Sequence, residues 1–206
     1  MGLSIRSNLM ASQALFHLGR NNRSLTESVG RISSGYRVNS AADDPAGASV
    51  AVNLETRNRS LQQAIRNAND GVSVIQTAES ATDEVTDLLQ RMRELAVEGA
   101  SETLDDDERT YIEDEFDELV DEVERIAANT EFNGITLSDG TTTQMDTQVG
   151  IENASSSRIT IDLGDLTSTT LGLTSAVTVQ SVTGATAAID TIDAALDSVN
   201  GYRSDL

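Results

Sequence analysis

The sequence predicts a mainly α-helical protein, a long antiparallel helical coiled-coil rod with a small β-hairpin region. Apolar residues recur at three- and four-residue steps over long stretches, which is the pattern of helices that pack along a seam. The 206 residues include one proline and 3% aromatic residues, so the chain lacks the bulky side chains of a thick globular core. After Phe132 the helical period disappears and turn-forming residues begin, which indicates a small β region.

The first helix is predicted over about residues 5–33. Its apolar residues recur at steps of seven, four and three, which is typical of a coiled-coil seam. Gly35 supplies a helix stop, because a residue without a Cβ enters the left-handed region freely. The seam consists of Leu18, Leu25, Val29 and Ile32.

A second, much longer helix is predicted from Pro45 to about Gly99. Asp44 is a plausible cap, and Pro45 has the fixed φ that suits a first helical turn. At 1.5 Å per residue this helix would be roughly 80 Å long, so it needs partner helices along its length. Its predicted apolar stripe comprises Val50, Leu54, Leu61, Ile65, Ala68, Val72, Ile75, Thr82, Val85, Leu89, Met92 and Leu95.

The third helix is predicted over about Asp105–Ala128, antiparallel to the second across a turn at residues 99–104. Four consecutive acids, 105–108, occupy its start, where they favour the positive end of the helix dipole by about 0.3–1 kcal/mol each. Its apolar stripe comprises Ile112, Phe116, Leu119, Val123 and Ile126.

The β region is predicted to contain a hairpin and one further strand. The hairpin would run from Ile135 to Val149 and turn at Asp139–Gly140. Alternating apolar residues over 159–163 predict a half-buried strand, and residues 164–186 predict short strands and loop. A last helix is predicted over Ala187–Leu206, with Ile189, Ile192, Leu196 and Val199 on one face.

The net charge of −20 is concentrated in the middle of the chain. Residues 1–75 carry +3, residues 76–150 carry −18 and residues 151–206 carry −5, and every basic residue is arginine. This balance argues against nucleic-acid binding, which requires a basic surface. Two interpretations of the acidic middle remain open: a solvated outer face that keeps the protein soluble, or adaptation to high salt, where screening relieves self-repulsion.

Catalysis, metal binding and membrane insertion receive little support from the sequence. The absence of cysteine excludes disulfides and thiolate metal sites, and the single histidine, His17, lies in a helical pattern between two leucines. Asp105–Asp107 diverge around a helix and are a poor calcium site. We find no catalytic or phosphate-binding motif, no cleavable signal peptide and no stretch near the roughly 20 apolar residues of a membrane span. We therefore predict no enzymatic activity, no cofactor and no membrane insertion.

Four blocks of the sequence, taken in order, resemble bacterial flagellins. They are the helix–loop–helix junction Leu25–Gly47, the helical blocks Arg66–Glu79 and Leu89–Val97, and the turn Glu131–Gly134. Any one of these is a weak signal, whereas four in family order and spacing over residues 1 to about 140 are a strong one. Gln148–Gly150 and Ile159–Leu173 also resemble the small β region of that family, and Ala188–Leu206 resembles the start of its returning C-terminal helix.

The resemblance implies a structural subunit that polymerises into the flagellar filament for motility. It implies a secreted protein, exported by the flagellar type III apparatus and located in the extracellular filament. Residues 1–42 would form a filament-core helix, unpaired in this chain. Residues 43–206 would form the rod core, with β structure at about 132–186 and the returning helix at about 187–206.

The resemblance also assigns two sets of interaction residues. The seams of the first two helices would pack against other subunits through Leu18, Leu25, Val29, Ile32, Leu54, Leu61 and Ile65. A recognition patch for the vertebrate Toll-like receptor 5 would comprise Gln90, Arg91, Leu95 and Glu115. Since Glu115 has several acidic neighbours here, this chain departs from many relatives around the patch.

Flagellins that resemble this chain pair the N-terminal helix with a long C-terminal helix, most of which the sequence lacks. We therefore expect a fragment of a longer subunit, whose residues 1–40 are poorly ordered or pair with another molecule. Two alternatives stay open: a hook–filament junction protein, and a secreted coiled-coil adapter or effector that binds a partner helix.

Overall fold

A computed structural model describes residues 9–206, whose main elements are four α-helices and four short strands. In chain order these are α1 (Leu9–Ser34), α2 (Pro45–Gly99), α3 (Asp106–Asn129), β1 (Glu131–Phe132), β2 (Ile135–Thr136), β3 (Gln144–Gln148), β4 (Arg158–Asp162) and α4 (Val182–Asp205). The prediction of a mainly helical protein with a small β region is confirmed. The predicted start of the first helix, at residue 5, lies outside the described residues. The chain divides into two compact units between Arg59 and Ser60.

In the first unit, α1 ends and α2 begins where the sequence predicted. Gly35 adopts φ 74°, and its N–H donates to the carbonyl of Arg31 at 2.9 Å, which closes the last turn of α1. The Asp44 carboxylate accepts from the amide of Gly47 at 2.9 Å and so caps α2, whose first residue is Pro45. No residue of α1 is buried, although residues 9–34 form a regular helix.

The second unit contains the main hydrophobic core, to which α2, α3, α4 and the connection before α4 all contribute. From α2 come Val85, Leu89 and Met92, each fully buried. The other contributors include Ile112, Phe116 and Val123 from α3, Leu166, Leu173 and Val179 from the connection, and Ile192 and Val199 from α4. The predicted stripe of α3 is confirmed as the buried face of that helix, with Leu119 at its half-buried margin.

A smaller core joins α2 to the β region. Val74 and Ala78 of α2 contact Leu137, Ile161 and Leu163, and β3 pairs antiparallel with β4 so that Met145 lies opposite Ile161. At Gly71 the helix backbone lies so near β3 that a Cβ there would be 3.3 Å from the Thr147 side chain.

The strand pairing differs from the predicted hairpin over Ile135–Val149. The tight turn is Asn133–Gly134, which joins β1 to β2, whereas Asp139 forms an isolated bridge with Asp165. Asn133 and Gly134 have φ of 52° and 77°, the left-handed values that a two-residue hairpin turn requires. Thus Asn-Gly, and not Asp139–Gly140, makes the hairpin turn.

The N-termini of α3 and α4 are set by local capping residues. Asp105 and Glu108 form a reciprocal capping box, so α3 begins where the acidic run predicted. The start of α4 was predicted at Ala187 and is wrong by five residues. Ser181 caps the helix by accepting from the amide of Gly184 at 3.1 Å, and helix formation continues through the intervening β-branched residues Val182 and Thr183.

Candidate interaction surfaces

The apolar seam of α1 is exposed along its whole length. Leu25 is 62% exposed, and the other three predicted packing residues, Leu18, Val29 and Ile32, are exposed to a comparable or greater degree. At 100° per residue these four side chains point from one face of the helix. An exposed apolar face of this length indicates a surface that a partner covers.

Helix α2 carries two apolar faces, of which only one is buried. Over residues 54–72 the predicted packing residues Leu54, Leu61 and Ile65 lie on one face and are exposed, Ile65 to 61%. The buried face, about a quarter turn or more away, begins with small side chains and valine. Its first members are Ala64, Gly71, Val74 and Ala78.

The predicted stripe of α2 therefore needs correction. Its second half, from Thr82 to Leu95, is buried as predicted, but Val50, Leu54, Leu61, Ile65 and Val72 lie outside the core of the described chain. The single predicted stripe is in fact two faces, and the larger apolar side chains of the first half lie on the exposed one.

The predicted recognition patch contains an ion pair between α2 and α3. Arg91 donates to the same oxygen of Glu115 through Nε at 2.9 Å and Nη2 at 2.7 Å, and to Glu94 at 3.0 Å. The hydrogen bonds from Arg91 to Glu115, and then to Glu94, raise the pKa of the arginine above its ordinary value. Both members of the Arg91–Glu115 pair are about half exposed, so the pair is available to a partner.

One member of the predicted patch does not belong to the exposed surface. Leu95 is 1% exposed and packs in the main core, so it cannot contact a partner of the folded chain. Gln90 is exposed and borders a shallow groove with Arg93, Glu94 and Val97. The structure therefore brings Arg91 and Glu115 together, places Gln90 in the neighbouring groove and buries Leu95.

Two acids of α3 act differently from the solvated outer face that the sequence suggested. The Glu113 carboxylate accepts from the amide of Val179 at 2.5 Å, and Glu124 accepts from the amide and hydroxyl of Ser168. These carboxylates hold the connection before α4 against α3. No sequence signal separates them from their acidic neighbours, because their partners lie 44 and 66 residues away.

Arg109 is the other important residue that the sequence prediction missed. It is 6% exposed, and its guanidinium donates to the carbonyls of Gly99 and of Ser101, the latter at 2.6 Å. A cation at the C-terminus of α2 satisfies carbonyls that have no partner within the helix. The signal was present, since Arg109 continues the apolar spacing of Ile112 and Phe116 on α3.

The comparisons with known proteins decide the family. Residues 5–143 match the model of the bacterial flagellin N-terminal helical region. This chain belongs to the flagellin family. Flagellin of Halalkalibacterium halodurans is 40% identical over 200 residues, which cover 97% of this chain and 73% of that protein. Flagellin FlaB1 of Treponema pallidum is 35% identical over 98% of this chain and 75% of its own length.

Other relatives are much longer than this flagellin-family chain. A flagellin of Escherichia coli is 40% identical over 84% of this chain, but the match spans only 31% of that protein. Among solved structures, Bacillus cereus flagellin superposes with a TM-score of 0.60 at 27% identity, covering 68% of this chain and 79% of the other. A Vibrio parahaemolyticus protein assigned as flagellar hook-associated has a TM-score of 0.64 at 20% identity, which shows a shared fold alone.

The described residues include neither a membrane-spanning helix nor a metal-binding group. No helix within residues 9–206 is long and apolar enough to cross a membrane. No group of three or more histidine, cysteine or acidic side chains in the same part of the chain is placed to hold a metal ion.

Proposed function

We propose that this chain is a structural subunit that polymerises into the bacterial flagellar filament for motility. The observation that carries the proposal is the exposure of two apolar seams, on α1 and on α2, on faces separate from the buried core. Membership of the flagellin family supplies the kind of partner, a further flagellin subunit. Burial of apolar surface in the subunit contacts would provide most of the assembly free energy.

In this proposal residues 1–42 are the filament-core segment and residues 43–206 the rod core. The seam residues Leu18, Leu25, Val29 and Ile32 pack between subunits from the first segment, and Leu54, Leu61 and Ile65 from the second. The chain reaches the extracellular filament through the flagellar export machinery. The family relationship supports this route, which needs no cleaved signal peptide.

The two alternative functions are less well supported. The alternative of a hook–filament junction protein has the support of one solved structure at 20% identity, which shows a shared fold alone. The relatives at 35–40% identity are flagellins. A coiled-coil adapter explains exposed seams but not the match to the flagellin family over residues 5–143.

Seeded polymerisation of the subunit tests the proposal. We expect Leu25→Asp on α1 and Ile65→Asp on α2 each to abolish growth from filament seeds, because a buried unpaired carboxylate opposes association. Tyr111→Asp is the matched control, since Tyr111 is a large side chain on α3 that is at least as exposed and lies outside both seams. Light scattering and electron microscopy report growth, and circular dichroism checks folding. Normal growth of both seam variants would refute the proposal.

We also propose that Gln90, Arg91 and Glu115 form a surface that Toll-like receptor 5 recognises on the free monomer. The exposed Arg91–Glu115 pair and the resemblance of its helical block to flagellins support this proposal. In a receptor reporter assay Arg91→Ala should lower the response, whereas Arg125→Ala, which removes an exposed arginine elsewhere on α3, should not. An unchanged response to Arg91→Ala would refute it.

A further inference from the structure

The chain contains two Asn-Gly dipeptides, and they lie in different backbone settings. Asn133–Gly134 forms the turn of the β1–β2 hairpin, and Asn200–Gly201 lies inside α4. All four of these residues are exposed, so solvent reaches both dipeptides. The same dipeptide therefore occurs in one chain in a hairpin turn and in a helix, and the reactivity of the two can be compared directly.

We propose that Asn133 is a site of spontaneous deamidation and isoaspartate formation, and that α4 protects Asn200 from the same reaction. The backbone nitrogen of Gly134 attacks the side-chain Cγ of Asn133 and the new N–Cγ bond forms. The Cγ–Nδ2 bond breaks, and the departing NH2 group takes up the amide proton of Gly134 and leaves as ammonia. Water then opens the cyclic imide at either carbonyl, which leaves aspartate or isoaspartate at position 133. No reactant other than water is needed.

The local structure leaves the attacking amide of Gly134 free. Its N–H makes no hydrogen bond among the described residues, and a Cβ built on Gly134 would meet nothing within 4 Å. Glycine also offers no side chain to hinder the approach of its nitrogen to Cγ. The attack requires rotation of the Asn133 backbone, and the flanking strands resist it weakly because each has only two residues.

The helical dipeptide lacks this freedom. Gly201 lies within α4, four residues before its end at Asp205, so its N–H is part of the helical hydrogen-bond ladder. For its nitrogen to reach Cγ of Asn200, that turn of helix must open first. The neighbouring side chains Val199 and Tyr202 are buried, so opening there also exposes core residues.

The products would change the hairpin in two ways. Either product places a carboxylate on position 133, which borders a groove that already contains the carboxylates of Asp70 and Asp146. Isoaspartate also adds a methylene group to the backbone of a two-residue turn, which disturbs the pairing of Phe132 with Ile135. Since Phe132 packs against the smaller core, the modification would loosen that contact.

The test follows both sites in the same incubation of the folded, unaltered chain in mildly alkaline buffer. Trypsin cleavage after Arg125, Arg158 and Arg203 places Asn133 and Asn200 in different peptides. Tandem mass spectrometry locates the deamidated residue, and methylation by L-isoaspartyl methyltransferase counts the isoaspartate. A second sample, unfolded in urea, gives the intrinsic rate of each dipeptide.

We expect Asn133 to react about tenfold faster than Asn200 in the folded chain, which corresponds to about 1.4 kcal/mol of difference in local opening. In urea the two rates should converge, because both dipeptides then have the same chemistry. Asn133→Gln should remove the signal from its peptide and leave that of Asn200 unchanged. Equal folded rates, a faster Asn200, or a signal that persists in Asn133→Gln would each overturn the proposal.

Discussion

Replacement of Arg109 is the sharpest test of how α2 and α3 are joined. Its buried guanidinium satisfies two carbonyls at the end of α2, those of Gly99 and Ser101. Hydrogen bonds from a charged donor contribute about 1.5–3 kcal/mol each, and the helix dipole adds up to about 2 kcal/mol at a partly buried site. Burial of the cation has itself a desolvation cost, which the variant no longer bears, so the net loss of stability is smaller than the sum of these contributions.

We therefore expect Arg109→Ala to lower the free energy of unfolding by about 2–4 kcal/mol. Urea unfolding followed by circular dichroism measures this change, and an unaltered dependence on urea would show that the unfolded state is the same. Arg125→Ala is the control, because it removes an arginine from the same helix whose ion pair with Glu122 is exposed and contributes little. The loss of stability in Arg109→Lys should lie between those of the two alanine variants, since lysine keeps the charge but lacks the forked set of donors of the guanidinium. If Arg109→Ala lowers the free energy of unfolding no more than Arg125→Ala does, Arg109 does not hold α2 and α3 together.

Three further predictions concern packing, pH and salt. Gly164→Ala should destabilise the chain by about 1–3 kcal/mol, because its Cβ would clash with the Tyr202 ring. Gly201→Ala, whose Cβ would meet nothing within 4 Å, should instead stabilise α4 by about 0.5–1 kcal/mol. Thermal unfolding of both variants measures the contrast, and equal effects would contradict it. Burial, and then repulsion by acids led by Glu113, raise the pKa of Asp117, so its ionisation costs stability as pH rises from the ordinary aspartate pKa through the raised one. Asp117→Asn should accordingly stabilise the fold at neutral pH and lose that advantage in acid below both pKa values, as pH-dependent unfolding would show; an advantage that persists in acid would exclude ionisation as its cause. The melting temperature should rise with NaCl if self-repulsion of the acidic middle limits stability, and a flat or falling response would count against high-salt adaptation.

The helices could be predicted from the sequence wherever a local signal marks both ends. Helix α2 begins at Pro45 and ends at Gly99 as predicted, and the acidic residues 105–108 mark the start of α3, where Asp105 and Glu108 form the capping box. The β region could not be predicted as well, because strand pairing depends on residues distant in the chain. Nothing local to β3 specifies that Gln144 pairs with Asp162, and the wrong turn was chosen from two plausible turn-forming pairs.

The candidate site was predictable in part for a similar reason. Arg91 and Glu115 were named through family resemblance, and the structure places them in contact. The resemblance assigned Leu95 to the patch, although the predicted stripe of α2 already placed it with Leu89 and Met92, and the structure buries it there. Glu124 could not have been found, because its role is visible only once the chain folds back to bring Ser168 to it.

Electron cryo-microscopy of filaments grown from seeds shows directly which surfaces of the subunit are buried on assembly. We expect the seam side chains of α1 and α2, including Leu25 and Ile65, to be buried between neighbouring subunits. We also expect the core of the second unit, which includes the buried Phe116, to stay intact within each subunit. A map in which both seams face solvent, while subunits contact each other elsewhere, would contradict it.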